Sequence, residues 1–345
     1  ADVPYADLLR ADIEVIIGEA ELIDRNRRVL RVAATGGAHS QPAVRDEPFD
    51  YLICAVGAAG AVPDGAALAV WDAAGASSIS ARLSALQPGG SRPDGGEPGA
   101  RCVVVGGGAT GVETAAEVAE RHPGVRVTLV AGPGLMPALP AAGRRRVLRG
   151  LERLGVGVVA GDRVARVEPE RVVLDSGREL PSAVTIWAGA PAANGLARAS
   201  GLPTDEQGRL LVDETLRCPQ DPAIFGAGDA VRLPDAVGGH LRASCAAAIP
   251  LGGHAADSVL AQLRGQTRPA VSIGFMVQCT SLGRRDGLVQ FVRADDRPRA
   301  VRLSGRLGAR AKESICRLTL SGVRKEGAKP RSYRAPKGPR RAAPR

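Results

Sequence analysis

Residues 101–117, Arg-Cys-Val-Val-Val-Gly-Gly-Gly-Ala-Thr-Gly-Val-Glu-Thr-Ala-Ala-Glu, constrain the fold of this chain more than any other stretch. Val103, Val104 and Val105 are continuous and β-branched, the pattern of a strand buried on both faces. Gly106, Gly108 and Gly111 follow with Gly-x-Gly-x-x-Gly spacing, and residues 112–121 read as a helix. Each glycine answers a separate need: a tight turn at 106, close backbone approach to a pyrophosphate at 108, and close helix–strand contact at 111. The helix start would then offer free amides and a positive dipole end to phosphate. A glycine-rich turn with no ligand is the competing reading. A second strand pattern over 125–130, at βαβ distance, favours the dinucleotide-binding turn.

With 345 residues the chain can bury two cores or one large one. Its 44% hydrophobic and 24% charged residues exclude wholesale disorder, and 3% aromatic residues leave little for stacking single-stranded nucleic acid. The net charge of +10 is concentrated at one end. Residues 301–345 hold fourteen Lys or Arg against two Glu, so the remainder is slightly acidic and no nucleic-acid partner is expected. Cysteines at 54, 102, 218, 245, 279 and 316 form no Cys-x-x-Cys pair and no Cys–His ligand spacing. They are expected to bind no metal and to sit mostly as buried thiols in a reducing cytoplasm. There is no apolar run of membrane-spanning length and no secretory signal pattern, which predicts a cytoplasmic protein, with peripheral membrane contact open.

Along the chain, residues 13–17 read as a strand, 21–32 as a hairpin, and 35–42 as a breaker segment in which His39 is a solvated loop residue. Residues 49–57 read as a buried strand ending on glycine, and 87–99 as a linker. A helix is expected over 144–154, then short strands at 156–159, 163–167 and 171–174, and another strand over 184–189. Trp187 on it is core or the wall of a ligand site. Residues 223–231 end a short apolar run on Gly-x-Gly-Asp, where Asp229 either caps the next segment or accepts from a ligand polyol. A helix is expected over 243–263, with His254 and Asp257 as a surface pair, then a hairpin around 282–287. The basic stretch 323–345 is expected to be disordered.

Four pieces in this order, 51–57, 106–117, 185–189 and Thr215 with 224–229, resemble the two-dinucleotide-binding-domain flavoproteins, in particular type II NADH dehydrogenases and apoptosis-inducing-factor-like oxidoreductases. The resemblance implies an α/β fold in which a Rossmann-like NAD(P)-binding domain (100–190) is inserted into an FAD-binding domain (1–86 and 191–265). A small C-terminal α+β region (266–322) and the basic tail (323–345) would follow. It implies that Gly106, Gly108 and Gly111 hold the NAD(P)H pyrophosphate, with Gly189 on the same site. Glu113 would lie near the nicotinamide or be an ordinary first-turn acid. Gly228 and Asp229 would face the FAD ribityl or pyrophosphate, and Ala55 and Gly57 would lie beside FAD, with Val56 in place of the family's threonine. The implied chemistry is hydride transfer from nicotinamide C4 to flavin N5 and onward to a quinone or other acceptor, with no side chain assigned as acid or base.

Three departures refine the expectation. No Gly-x-Gly-x-x-Gly precedes residue 106, so the FAD-binding domain is expected to be short at its N-terminus. Val130 is followed by Ala131 and Gly132 rather than an acid, which leaves NADPH open beside the NADH that the resemblance suggests. The helix after Asp229 begins Ser244-Cys-Ala-Ala-Ala-Ile-Pro, without the family's glutamines, so quinone rests on the resemblance alone. The alternative is an NAD(P)-binding sensor or interaction module without turnover. The basic tail would touch anionic lipid or nucleic acid, or serve solubility alone, and oligomeric state is not specified.

Overall fold

A computed structural model of the chain describes residues 4–34, 44–59, 62, 67–71, 73–86, 100–189, 192–329, 332 and 334–339. The linker expected at 87–99 and His39 lie outside the described residues. In chain order the elements used below are β1 (Gly18–Asp24), β2 (Val29–Ala34), β3 (Val44–Pro48), β4 (Leu52–Cys54), β5 (Ala67–Ala69), α1 (Ala73–Ala85), β6 (Ala100–Val105), α2 (Ala109–Arg121), β7 (Val125–Val130), α3 (Ala141–Arg153) and β8 (Gly157–Val159). There follow β9 (Val164–Glu168), β10 (Arg171–Leu174), β11 (Glu179–Pro181), β12 (Val184–Trp187), β13 (Arg217–Cys218), β14 (Asp221–Gly226), α4 (Cys245–Leu263), β15 (Val277–Ser281), β16 (Gly287–Val292), β17 (Pro298–Ser304) and α5 (Gly305–Ala328).

The valine run of β6 forms the middle of a five-stranded parallel sheet in the order β5-β12-β6-β7-β8. Successive side chains point to opposite faces of a strand, and β6 uses both. Cys102 and Val104 pack into a core with Ile79 of α1, Val112 and Ala115 of α2, and Val147 and Leu151 of α3. Val103 and Val105 pack on the other side against Val167, Val172 and Leu174 of the antiparallel sheet β9-β10-β11. This burial on both faces explains why the sequence reads as a continuous apolar run.

A second core gathers around a three-stranded sheet in the order β13-β14-β4. β4 pairs parallel with β14, Leu52 with Ile224 and Cys54 with Gly226, so segments far apart in sequence share one sheet. The five-stranded sheet lies between them in sequence. A third unit is the meander β15-β16-β17, packed against α5. The α/β class expected from the sequence is what the chain adopts.

Two local expectations are corrected. Residues 13–17 are not a strand; pairing starts at Gly18, and Ile13, Val15, Ile16 and Ile17 are exposed, because among the described residues no strand meets that apolar run. The stretch expected to be disordered from 323 is helical to Ala328, since a helix already nucleated over the preceding turns adds one hydrogen bond for each residue it extends. Gly327 lies so close to the Leu8 carbonyl that an added Cβ would sit 2.2 Å from its oxygen. Beyond the helix, the Gly274 amide donates to the Pro336 carbonyl at 2.8 Å.

Candidate functional site

The three glycines after β6 are held by different constraints. Gly106 has φ +137°, and a Cβ there would lie 2.3 Å from the Ala188 carbonyl oxygen at the end of β12. At Gly111 a Cβ would lie 1.9 Å from the Gly106 carbonyl oxygen, so α2 can pack onto its own turn only with glycine there. Gly108, the N-cap of α2, has nothing within 4 Å of its would-be Cβ and no side-chain cap. The backbone at that point is open to a ligand, and the uncapped helix start points amides toward it. Gly107 is also required: its Cβ would meet the Gly134 carbonyl oxygen at 2.3 Å. The run of three glycines signalled this position, but its reason lies in the loop after β7.

Gly189 joins the same end of the parallel sheet. The Ala188 amide donates to the Val105 carbonyl at 2.8 Å, and a Cβ at Gly189 would stand 2.8 Å from Trp187 Nε1. Trp187 is half-buried at the edge of the core formed with β9-β10-β11, between the two roles the sequence left open. Glu113, in the first half of α2, accepts from the Ser281 amide at 2.8 Å and from Lys312 Nζ. It thereby pins β15 and α5 to α2. Neither partner is near it in sequence, so spacing carried no signal for Lys312.

The second group of expected residues meets at the end of the other parallel pair. The Ala227 amide donates to the Cys54 carbonyl at 3.0 Å, which sets the segment of Ala55 and Gly57 beside the Gly228 turn. Gly57 (φ +67°) and Gly228 (φ +69°) both hold left-handed backbone. Nothing lies within 4 Å of the Gly57 Cβ position. The Asp229 carboxyl is pushed above its ordinary range by burial, with the Ser244 backbone hydrogen bond pulling the other way. A half-buried acid beside two left-handed turns, of which the one at Gly57 is open, suits polyol hydroxyl donors, and in that respect the residues present fit a flavin ribityl chain. The chain's sole Gly-x-Gly-x-x-Gly, however, is the one after β6. The two ends are linked by a short ladder in which Ala58 pairs with Ala193 and Ala59 with Ala192.

At the end of β7, Gly132 has φ +46°, and its Cβ position is 3.9 Å from Arg163 Cγ. Arg163 was not singled out in the sequence because it lies on the far side of α3. No group of metal-ligating side chains occurs among the described residues. A groove of about 890 Å³ lies between α4, α5 and the N-terminal segment, lined by Leu8, Ile13, Ile249, His254, Arg268 and Val323 among others and by none of the residues of the glycine turns. His254 and Asp257 are therefore not a free surface pair. Burial and the Arg268 guanidinium push the His254 imidazole down to about 4, and its Nε2 is buried without a partner.

The profile described as pyridine nucleotide-disulphide oxidoreductase matches residues 5–248. The chain belongs to this family. An NADH dehydrogenase-like protein of Mycobacterium tuberculosis is 34% identical over 200 residues, 53% of this chain and 48% of that protein. The type II NADH:quinone oxidoreductase of Haemophilus influenzae is 32% identical over 145 residues, 38% of this chain and 33% of that protein. The chain thus spans about half or less of the length of these curated relatives. Among solved structures, the sulfide:quinone oxidoreductase of Aquifex aeolicus superposes with a TM-score of 0.62 at 17% identity, covering 91% of this chain and 76% of that one. An FAD-dependent pyridine nucleotide-disulphide oxidoreductase from Desulfovibrio vulgaris gives 0.59 at 24% identity, covering 79% and 67%. These structures share the fold of this pyridine nucleotide-disulphide oxidoreductase family member.

Proposed function

We propose that the chain acts as an FAD-dependent NAD(P)H oxidoreductase that passes reducing equivalents to a quinone or another small acceptor. The observation that carries the reading is Gly108, open to solvent at an uncapped helix start between two glycines locked by backbone contact. In this reading Gly106, Gly108 and Gly111 hold the dinucleotide pyrophosphate, with Gly189 keeping the neighbouring strand end clear. Asp229 and Gly228 orient the flavin polyol, with Ala55 and Gly57 beside it. Flavin, when bound, supplies the hydride acceptor. Glu113 acts through position, fixing the first turns of α2 against β15. Arg163 beside Gly132 favours acceptance of a 2′-phosphate, so NADPH is a substrate alongside NADH. A relative named as an NADH:quinone oxidoreductase supports a quinone acceptor, and in this reading the chain works in the cytoplasm, peripheral to the inner face of a membrane. No helix among the described residues is long and apolar enough to cross one.

The test is the visible spectrum of the purified chain with added FAD, followed by NADH and NADPH oxidation with a quinone or dye. Bound flavin bands and acceptor-dependent oxidation are expected. Absence of flavin binding removes the enzyme reading. A second reading, an NAD(P)-binding module without turnover, rests on the same turn at Gly106, Gly108 and Gly111. Calorimetric binding of NAD(P)H with no turnover would select it.

A further inference from the structure

Among the described residues four other than glycine hold left-handed backbone, and one of them, Met136, stands against the glycine turn after β6. Its φ is +46°, where a Cβ crowds the following carbonyl oxygen. A residue stays in such a conformation only where its surroundings hold it there. Met136 is held at three points. Its side chain is 7% exposed, in the core that contains Val112 of α2 and Val147 of α3. Its carbonyl accepts from the Leu139 amide at 2.9 Å, and its own amide donates to the Gly107 carbonyl at 2.7 Å. The rest of the loop closes on the same glycine. The Gly134 amide donates to the Ala131 carbonyl at 2.8 Å, and a Cβ on Gly107 would lie 2.7 Å from the Ala131 oxygen and 2.3 Å from the Gly134 oxygen.

The bond from Met136 fixes the direction of a second group. The Gly107 carbonyl and the Gly108 amide belong to one peptide plane, and no peptide among the described residues is cis. In a trans plane the C=O and the N–H point opposite ways. The carbonyl faces Met136, so the Gly108 N–H faces away from that loop. It has no acceptor among the described residues, and the Cβ position on the same residue is open. It is one of the amides that a helix start leaves free. Between two glycines this plane would turn readily, because neither residue has a Cβ to restrain it. The hydrogen bond to Met136 removes that freedom.

We infer that Met136 is a positioning residue for the dinucleotide: its left-handed backbone, by holding the Gly107 carbonyl, aims the Gly108 N–H at the pyrophosphate. The inference rests on the reading of this turn as the nucleotide site. The Met136 side chain lies in the core and touches no ligand; its effect passes through one backbone hydrogen bond. Because the donor is oriented before the ligand arrives, binding loses less conformational entropy. Two substitutions separate this role from packing. If Met136 only fills the core, Met136→Gly is the more damaging, because it removes the whole side chain. If it aims Gly108, Met136→Val is, because valine keeps an apolar body but resists the left-handed region that glycine enters freely.

The experiment titrates the full chain, carrying isotope-labelled glycine, with inorganic pyrophosphate and with NADH, and follows the Gly108 amide resonance, assigned by its loss in Gly108→Ala. In the unmodified chain and in Met136→Gly either ligand should shift that resonance, and NADH should bind the two within about threefold of each other by calorimetry. In Met136→Val the shift should shrink and the NADH dissociation constant rise about tenfold or more, the loss of a hydrogen bond to a charged group. Adenosine, which has no phosphate, should bind all three alike. Equal NADH affinity in Met136→Val and the parent, a parallel loss of adenosine binding, or a larger loss in Met136→Gly than in Met136→Val overturns the inference while leaving the nucleotide at the turn. Should Met136→Val not fold, loss of the pyrophosphate shift in Met136→Gly overturns it by itself. A Gly108 resonance that neither ligand moves in the unmodified chain removes the nucleotide from the turn, and the inference with it.

Discussion

Gly108 and Gly111 differ in what an added methyl would meet, and that difference separates binding from folding. Gly111→Ala drives a methyl into the Gly106 carbonyl and should cost roughly 1–3 kcal/mol, read as a lower urea midpoint. Gly108→Ala meets no protein atom within 4 Å, so stability should hold within about 0.5 kcal/mol. Its NADH dissociation constant should nevertheless rise about tenfold or more, equivalent to about 1.4 kcal/mol, by calorimetry. Equal NADH affinity in Gly108→Ala and the parent would remove the pyrophosphate from this turn. His254 gives a pH signature. Its folded-state value of about 4 lies below the ordinary 6.5, so between those values the unfolded chain holds more protons. Stability should therefore fall as pH drops through that window. His254→Gln should flatten the dependence of the urea midpoint on pH there; an unchanged slope would show that other groups set it.

At the scale of elements, α2 is both the start of the candidate nucleotide site and a docking rail for the C-terminal unit. Glu113 takes Ser281 and Lys312, and Glu120 accepts from the Arg284 amide at 2.7 Å. Lys312→Met should lower stability by about 1 kcal/mol, the scale of a charged hydrogen bond offset by partial solvent screening. Amide exchange at Ser281 should quicken, and exchange unaltered there would mean that Lys312 does not hold the strand. The strands and helices around this rail were largely legible: periodicity found α3, the hairpin β1-β2 and the hairpin β15-β16. It misplaced residues 13–17, because an apolar run becomes a strand only where a neighbour completes its hydrogen bonds. It placed no helix over 305–322 and read 323–345 as disordered, where α5 runs from Gly305 to Ala328, since composition alone cannot register a helix propagated from preceding turns.

Across the whole molecule, the C-terminal meander is part of the core under α2 and α3. Leu282 is 2% exposed and packs in the same cluster as Val147 and Leu151. Its Cδ1 is 2.7 Å from where a Cβ on Gly150 would stand. Asp286, a few residues on, pairs with both Arg146 and Arg153 of α3. Leu282→Ala should cost roughly 2–5 kcal/mol and lower the unfolding temperature of the five-stranded sheet together with the meander. Separate unfolding transitions, with the sheet unaffected, would show that the two units fold independently.

By itself the sequence determined the β6–turn–α2 unit, the second parallel strand and the α/β class. Those features arise from contacts within a few tens of residues, where glycine spacing and β-branched runs act directly on local backbone. Tertiary structure alone decided that Cys54 and Gly226 lie side by side, that Arg163 reaches the end of β7, and that Glu113 answers to Lys312. In each case the partners are distant in sequence, and only the packing of cores brings them within hydrogen-bonding or van der Waals reach.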